Sequence, residues 1–314
     1  MRRILIICGP TASGKTALAV ELAEQLGAEI VSADSQQCYR GLDAGTAKPT
    51  AAEQARARHH LLDVADPAEQ LDAARFVQLA DAAAADIAAR GKRVIVAGGT
   101  GLWIRALIRG LVDAPAASPE LRAELRRRPV SDLHARLQEV DQVAARRILP
   151  GDRVRIERAL EVHALSGRPL SDLQREHGFA EARYDALTFF LDPPRALLQQ
   201  RIEQRTRQLF ESGALRSETE WLLGQHAGKA LKIIGYGQMA EALKTGDFAA
   251  AERRVNARTR QYAKRQRTWF AKESTGLWPF DAAALCEQAR RWYEGGPEER
   301  APPATGGARS TEHK

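Results

Sequence analysis

The stretch GPTASGKT, Gly9–Thr16, constrains this chain more than any other part of it. It matches the pattern G-x-x-x-x-G-K-[ST] in full, and its surroundings are the ones such a loop needs. Before it runs RILIIC, residues 3–8, a short apolar strand candidate. After it a helix from about Lys15 to Leu26 carries Leu18, Leu22 and Leu26 on one stripe, with Gly27 as its stop. Across Gly9, Pro10, Thr11, Ala12, Ser13 and Gly14 the backbone can curl so that successive N–H groups face phosphate oxygens. Lys15 adds a point charge and the helix N-terminus a partial one. Thr16 is placed to ligate a magnesium ion that bridges phosphates. The stretch predicts a site for a diphosphate or triphosphate.

The pattern continues in the same sense. EIVSAD, residues 29–34, reads as a second strand, an Ala-rich helix spans roughly 73–90, and RVIVAGG at 93–99 is a third strand. Strand, helix, strand, helix, strand predicts a parallel sheet with helices on both faces, an α/β fold like that of phosphate-loop NTPases. From about Leu111 the chain turns helical and arginine-rich, punctuated by Pro115, Pro119, Pro129, Pro150 and Pro169, with no convincing strand. ALTFFLD at 186–192 returns to the sheet. The expected organisation is an α/β core of 1–110 and 186–285, an inserted all-helical domain at 111–185, and a disordered tail at 295–314 rich in Gly, Pro and charge.

In such sheets ligands bind at the carboxyl edge of the strands. The phosphate loop, Asp34 and the GGT at 98–100 all fall there. A nucleotide hydrolase would want an acid at the end of a core strand to hold magnesium or orient water. The strand RVIVAGGT supplies none, and the available carboxylate is Asp34 on the neighbouring strand. This weakens an ATPase and leaves a small-molecule kinase open.

Composition enters as a filter. The formal charge of +7 fits an anionic partner without naming one. Cys8, Cys38 and Cys286 are too few and too scattered for a disulfide framework or a zinc site, which fits a reducing cytoplasm. No stretch approaches the run of about 18 apolar residues that spans a bilayer. The apolar run after Arg2 and Arg3 is too short for a signal peptide and leads straight into the loop.

Together GPTASGKT, SADSQQCYRGLDAGTAKPT, HHLLDV, AGGTGLWIRAL and QYAKRQRTWF resemble the tRNA dimethylallyltransferase family. The resemblance runs from about Ile4 to Phe280 in the family's order. Its most specific part is D-S-x-x-x-Y-x-G-x-D-x-G-T-A-K-P, Asp34 to Pro49. It implies transfer of a dimethylallyl group from dimethylallyl diphosphate to N6 of the adenine 3′-adjacent to the anticodon of tRNA. It also implies that the loop holds a prenyl diphosphate, with Mg2+ as cofactor and no phosphoryl transfer. Asp34 is implied as the acceptor of the N6 proton, Thr100 as a hydroxyl donor near the leaving diphosphate, and Arg205 as a diphosphate contact. Arg122 matches a position important for activity. A cytoplasmic, monomeric enzyme without a membrane partner is expected.

The same resemblance assigns contact with the tRNA anticodon stem-loop to Asp34, Ser35, Gln36 and Gln37, where the flipped adenine would arrive. It assigns further contact to Val154, Arg155, Ile156, Glu157 and Arg158, and to Lys232, Ile233, Ile234, Gly235, Tyr236 and Gly237. The common form has a basic residue where Gly237 stands. RRVNARTRQYAKRQRTWFAK, 253–272, holds eight basic residues and no acid, with Tyr262, Trp269 and Phe270 between them, and is expected near the RNA and the sheet.

Overall fold

The computed structural model describes residues 2–179, 181–225 and 228–295. The expected disordered tail lies, from residue 296 on, outside the described residues. Six strands run in chain order as β1 (Arg3–Cys8), β2 (Ala28–Ser32), β3 (His59–His60), β4 (Arg93–Gly98), β5 (Asp185–Leu191) and β6 (Gly276–Leu277). They form one parallel sheet in the order β3-β2-β4-β1-β5-β6. β1 is buried along nearly its whole length, as a central parallel strand must be when helices cover both faces. That is why RILIIC is continuously apolar rather than alternating. The two-residue edge strands β3 and β6 are too short to leave a period in the sequence.

Between the first strands run α1 (Lys15–Leu26), α2 (Ala51–Arg56), α3 (Ala73–Ala89) and α4 (Gly101–Arg109). The stripe on α1 packs with Leu5, Ile7 and Phe189 on one face of the sheet. α3 starts at Asp72, whose side chain accepts the N–H of Arg75, and buries Phe76, Ala80, Ala84 and Ile87 against the other face. Phe76 stacks on Trp103 of α4 with ring centroids 4.4 Å apart.

The chain divides into two compact units, Met1–Ile108 with Tyr184–Lys314, and Arg109–Arg183; the break in composition predicts 111–185 for the second. The second unit holds α5 (Pro119–Arg126), α6 (Val130–Val140), α7 (Gln142–Arg147), α8 (Arg153–Ser166) and α9 (Leu170–His177), and no strand among its described residues. It has its own core of Leu125, Leu133, Leu137, Ile156, Ala159 and Leu160. The first unit continues with α10 (Arg195–Glu211), α11 (Ala214–Gly224), α12 (Tyr236–Thr245), α13 (Phe248–Phe270) and α14 (Ala282–Tyr293). Among the described residues no helix is long and apolar enough to cross a membrane.

Candidate active site

At the carboxyl edge of the sheet a cavity of about 530 Å³ opens between the phosphate loop and the turn that follows β2. Two backbone approaches set its floor. Ala33 donates to the Ala97 carbonyl at 2.8 Å and accepts the N–H of Thr100 at 3.2 Å. A Cβ on Gly98 would run into the Ala33 carbonyl, so only glycine lets β2 and β4 converge this closely. The convergence brings Ser35, next to Asp34, against Thr100 across 65 positions of the chain.

Asp34 and Lys15 both line the cavity. Burial raises the Asp34 carboxyl above its usual range, opposed by the Gln36 N–H it accepts at 2.9 Å and by the charges of Lys15 and Arg205. The Lys15 ammonium donates to the Pro10 carbonyl at 2.7 Å, and burial pushes it down to about 8. Thr16 lines the cavity as well, and Ser13 Oγ is buried without a hydrogen-bond partner. From α10, Arg205 donates to Thr11 Oγ1 at 3.3 Å and Arg201 to the Ala12 carbonyl at 3.3 Å. The i, i+4 spacing puts both guanidiniums on the loop, and burial lowers the Arg205 pKa.

Thr100 accepts the Ser35 N–H at 2.9 Å and donates to Ser35 Oγ at 3.2 Å. Its hydroxyl therefore holds the turn that carries Asp34. Gln36 and Gln37 face the cavity. Gln37 accepts from Ser32 Oγ at 3.3 Å and donates to the Ala47 carbonyl at 2.8 Å, which fastens the two halves of the Asp34–Pro49 string together.

The basic segment divides by face. Tyr262 and Gln266 line the cavity and Phe270 enters the core, at i, i+4 and i+8 of α13. Arg253, Arg258, Arg260 and Lys264 are exposed. Gln266 is a residue that sequence reasoning missed. Its Oε1 accepts the Thr11 N–H at 2.8 Å and its Nε2 donates to the Gly99 carbonyl at 2.9 Å, joining the phosphate loop to the end of β4. The helical spacing of Tyr262, Gln266 and Phe270 in an otherwise charged run was the available signal.

Several expected contacts stand elsewhere. Tyr236 is wholly buried, with its hydroxyl donating to Glu218 Oε2 at 2.6 Å, so it offers no surface to RNA. Gly235 is buried too, whereas Lys232, Ile233 and Ile234 line the cavity. A Cβ at Gly237 would meet the Leu231 carbonyl oxygen at 2.5 Å, which explains why no basic side chain stands there. In the helical unit Val154 and Arg155 are exposed, but Ile156 and Glu157 turn inward because one face of α8 must fill that unit's core. Arg122 is bidentate on the fully buried Glu161, at 2.9 Å for both bonds. Glu161 also accepts from Arg158 at 2.7 Å and from the Ser118 N–H at 2.8 Å.

No group of three or more His, Cys, Asp or Glu able to hold a metal occurs among the described residues.

Fold and site together define a phosphate-loop α/β protein with a half-buried carboxylate, Asp34, on the cavity wall beside the loop, and no acid at the end of β4 where a hydrolase would put one. Residues 37–273 match the model of the IPP transferase family. The chain is 53% identical over 300 residues to a tRNA dimethylallyltransferase of Anaeromyxobacter dehalogenans (strain 2CP-C), covering 92% of this chain and 99% of that protein. To the enzyme of the same name from Myxococcus xanthus (strain DK1622) it is 46% identical, with 89% and 94% covered. The crystal structure of a tRNA isopentenylpyrophosphate transferase from Bacillus halodurans superposes with a TM-score of 0.68 at 32% identity, covering 94% of this chain and 96% of that one. A eukaryotic dimethylallyltransferase acting on tRNA superposes with a TM-score of 0.83 at 25% identity, covering 96% and 82%. The chain belongs to the IPP transferase family.

Proposed function

We propose that this chain transfers the dimethylallyl group of dimethylallyl diphosphate to N6 of the adenine 3′-adjacent to the anticodon in tRNA, releasing pyrophosphate. The observation that carries the reading is a single cavity in which Asp34 faces the phosphate loop, Lys15 and Arg205. The names of the relatives support it.

The N6 lone pair forms the new bond to the allylic C1, the C1–O bond breaks, and its electron pair leaves with pyrophosphate. Asp34 takes the N6 proton; its raised affinity for protons suits a base. The loop N–H groups, Lys15 and Arg205 stabilise charge on the leaving group, where preorganised donors act most strongly. Thr100 holds the Asp34 turn through Ser35. Magnesium, which binds through a few protein oxygens plus substrate phosphates, fits Thr16 on the cavity wall and would neutralise the diphosphate when bound. The exposed basic face of α13 suits the phosphates of a folded RNA, in a monomeric cytoplasmic enzyme.

The test is incorporation of labelled dimethylallyl diphosphate into unmodified tRNA, with free AMP as a parallel acceptor. Label in tRNA alone is expected, and label in AMP would move the activity to free nucleotides. Asp34→Ala should abolish transfer and leave pyrophosphate binding largely intact. Equal loss of both would show that Asp34 is only structural.

A further inference from the structure

We propose that Glu218 is a positioning residue for the acceptor side of the cavity, acting through the loop at 43–47. The inference rests on the reading that the acceptor base arrives beside Asp34. Glu218 stands on α11. Its Oε1 accepts the N–H groups of Asp43 at 3.0 Å and Ala44 at 2.7 Å, and its Oε2 accepts the N–H of Gly45 at 3.1 Å and the Tyr236 hydroxyl at 2.6 Å. Four neutral donors thus converge on one carboxylate. Consecutive N–H groups aimed at one point make an anion-binding concavity, and here the protein fills it with its own side chain.

The geometry ties two walls of the cavity to each other. One is the loop, through Gly45, Thr46 and Ala47; the other is the segment of Lys232, Ile233 and Ile234 that leads into Tyr236. Tyr236 is packed among Leu42, Leu215, Leu222 and Met239. A Cβ on Gly45 would meet the Tyr236 hydroxyl oxygen at 2.5 Å, so loop and ring lie in direct contact. From the loop the linkage reaches the base site, because Ala47 holds Gln37. At its far end Lys48 grips Asp43, the Asp63 carboxylate at 2.6 Å and the Tyr39 carbonyl at 2.9 Å. The phosphate loop is held by another set, Gln266, Arg201 and Arg205. Losing Glu218 should therefore weaken acceptor binding and spare the donor site.

Glutamine at this position keeps one acceptor oxygen and turns an NH2 group toward two of the four donors. The loop would then hold its shape for only a fraction of the time. A substrate that needs that shape binds more weakly by the same fraction.

The experiment measures KM for unmodified tRNA, kcat, and pyrophosphate affinity by titration, on full-length wild type, Glu218→Gln and Tyr236→Phe. Glu218→Gln should raise KM for tRNA roughly tenfold or more, with kcat little changed and pyrophosphate affinity unchanged. Tyr236→Phe, which removes one of the four bonds and keeps the ring, should shift the same quantity in the same direction by less. If Glu218→Gln does not fold, Tyr236→Phe decides alone. A parallel loss of pyrophosphate affinity, or an unchanged KM for tRNA in a folded variant, overturns the proposal. Failure of the wild type to label tRNA would overturn the functional reading and this inference with it, so the two failures are distinguishable.

Discussion

Replacing Gln266 with alanine measures how far the phosphate loop depends on α13. Gln266 is only 6% exposed and makes two hydrogen bonds, to the Thr11 N–H and the Gly99 carbonyl. Truncation leaves a buried donor and a buried acceptor without partners. Each orphan costs about 1–3 kcal/mol, so the sum is about 2–6 kcal/mol. The vacated volume adjoins the open cavity and water can enter it, which selects the lower end, about 2–3 kcal/mol. That is a factor of roughly 30–150 in the equilibrium between ordered and loosened loop. Urea denaturation should register the loss, and calorimetric titration with pyrophosphate should show weaker binding. A second variant, Gln266→Glu, keeps the acceptor for Thr11 but sets an oxygen against the Gly99 carbonyl. Protonating the new carboxyl restores a donor, so its deficit relative to wild type should shrink as pH falls. If Gln266→Ala unfolds within about 0.5 kcal/mol of wild type and binds pyrophosphate equally well, the loop is held by other means and the reasoning fails.

Three further outcomes follow from the same geometry. Burial holds Lys15 at about 8, so pyrophosphate binding to the free protein should weaken as pH rises through that value and its charge is lost. Lys15→Arg should flatten that limb in titrations run across it. Arg122→Ala removes two of the four bonds to a fully buried carboxylate and should destabilise the helical unit by about 2–4 kcal/mol in urea melts. A stability equal to wild type would show that the pair matters little there. Gly237→Lys drives a Cβ against the Leu231 carbonyl and should lower stability by about 1–3 kcal/mol, read as a lower thermal midpoint. An unchanged midpoint would mean that the 230–235 segment yields freely.

Much of the site was legible in one dimension because it is local. The phosphate loop needs an apolar strand before it and a helix after it within a span of about 25 residues, and both leave a pattern that can be read. Asp34 stands two residues past the end of β2, so finding the strand located the carboxylate. The helical unit announced itself by a change of composition.

Tertiary structure decided which faces those elements show. The family resemblance put Tyr236 and Gly235 in one contact set with Lys232, yet the core took the first two and the cavity the third. α8 likewise exposes Val154 and Arg155 while Ile156 fills its unit's core. Of the residues that hold the site in shape, Gln266 left only a helical spacing in the sequence and Glu218 left nothing. Gln266 reaches Thr11 across 255 positions and Glu218 reaches Ala44 across 174. A hydrogen bond over such a distance has no period and no neighbouring signature. It exists only once helices have packed on the sheet, because burial is what makes an unpaired N–H costly enough to require a partner from elsewhere in the chain.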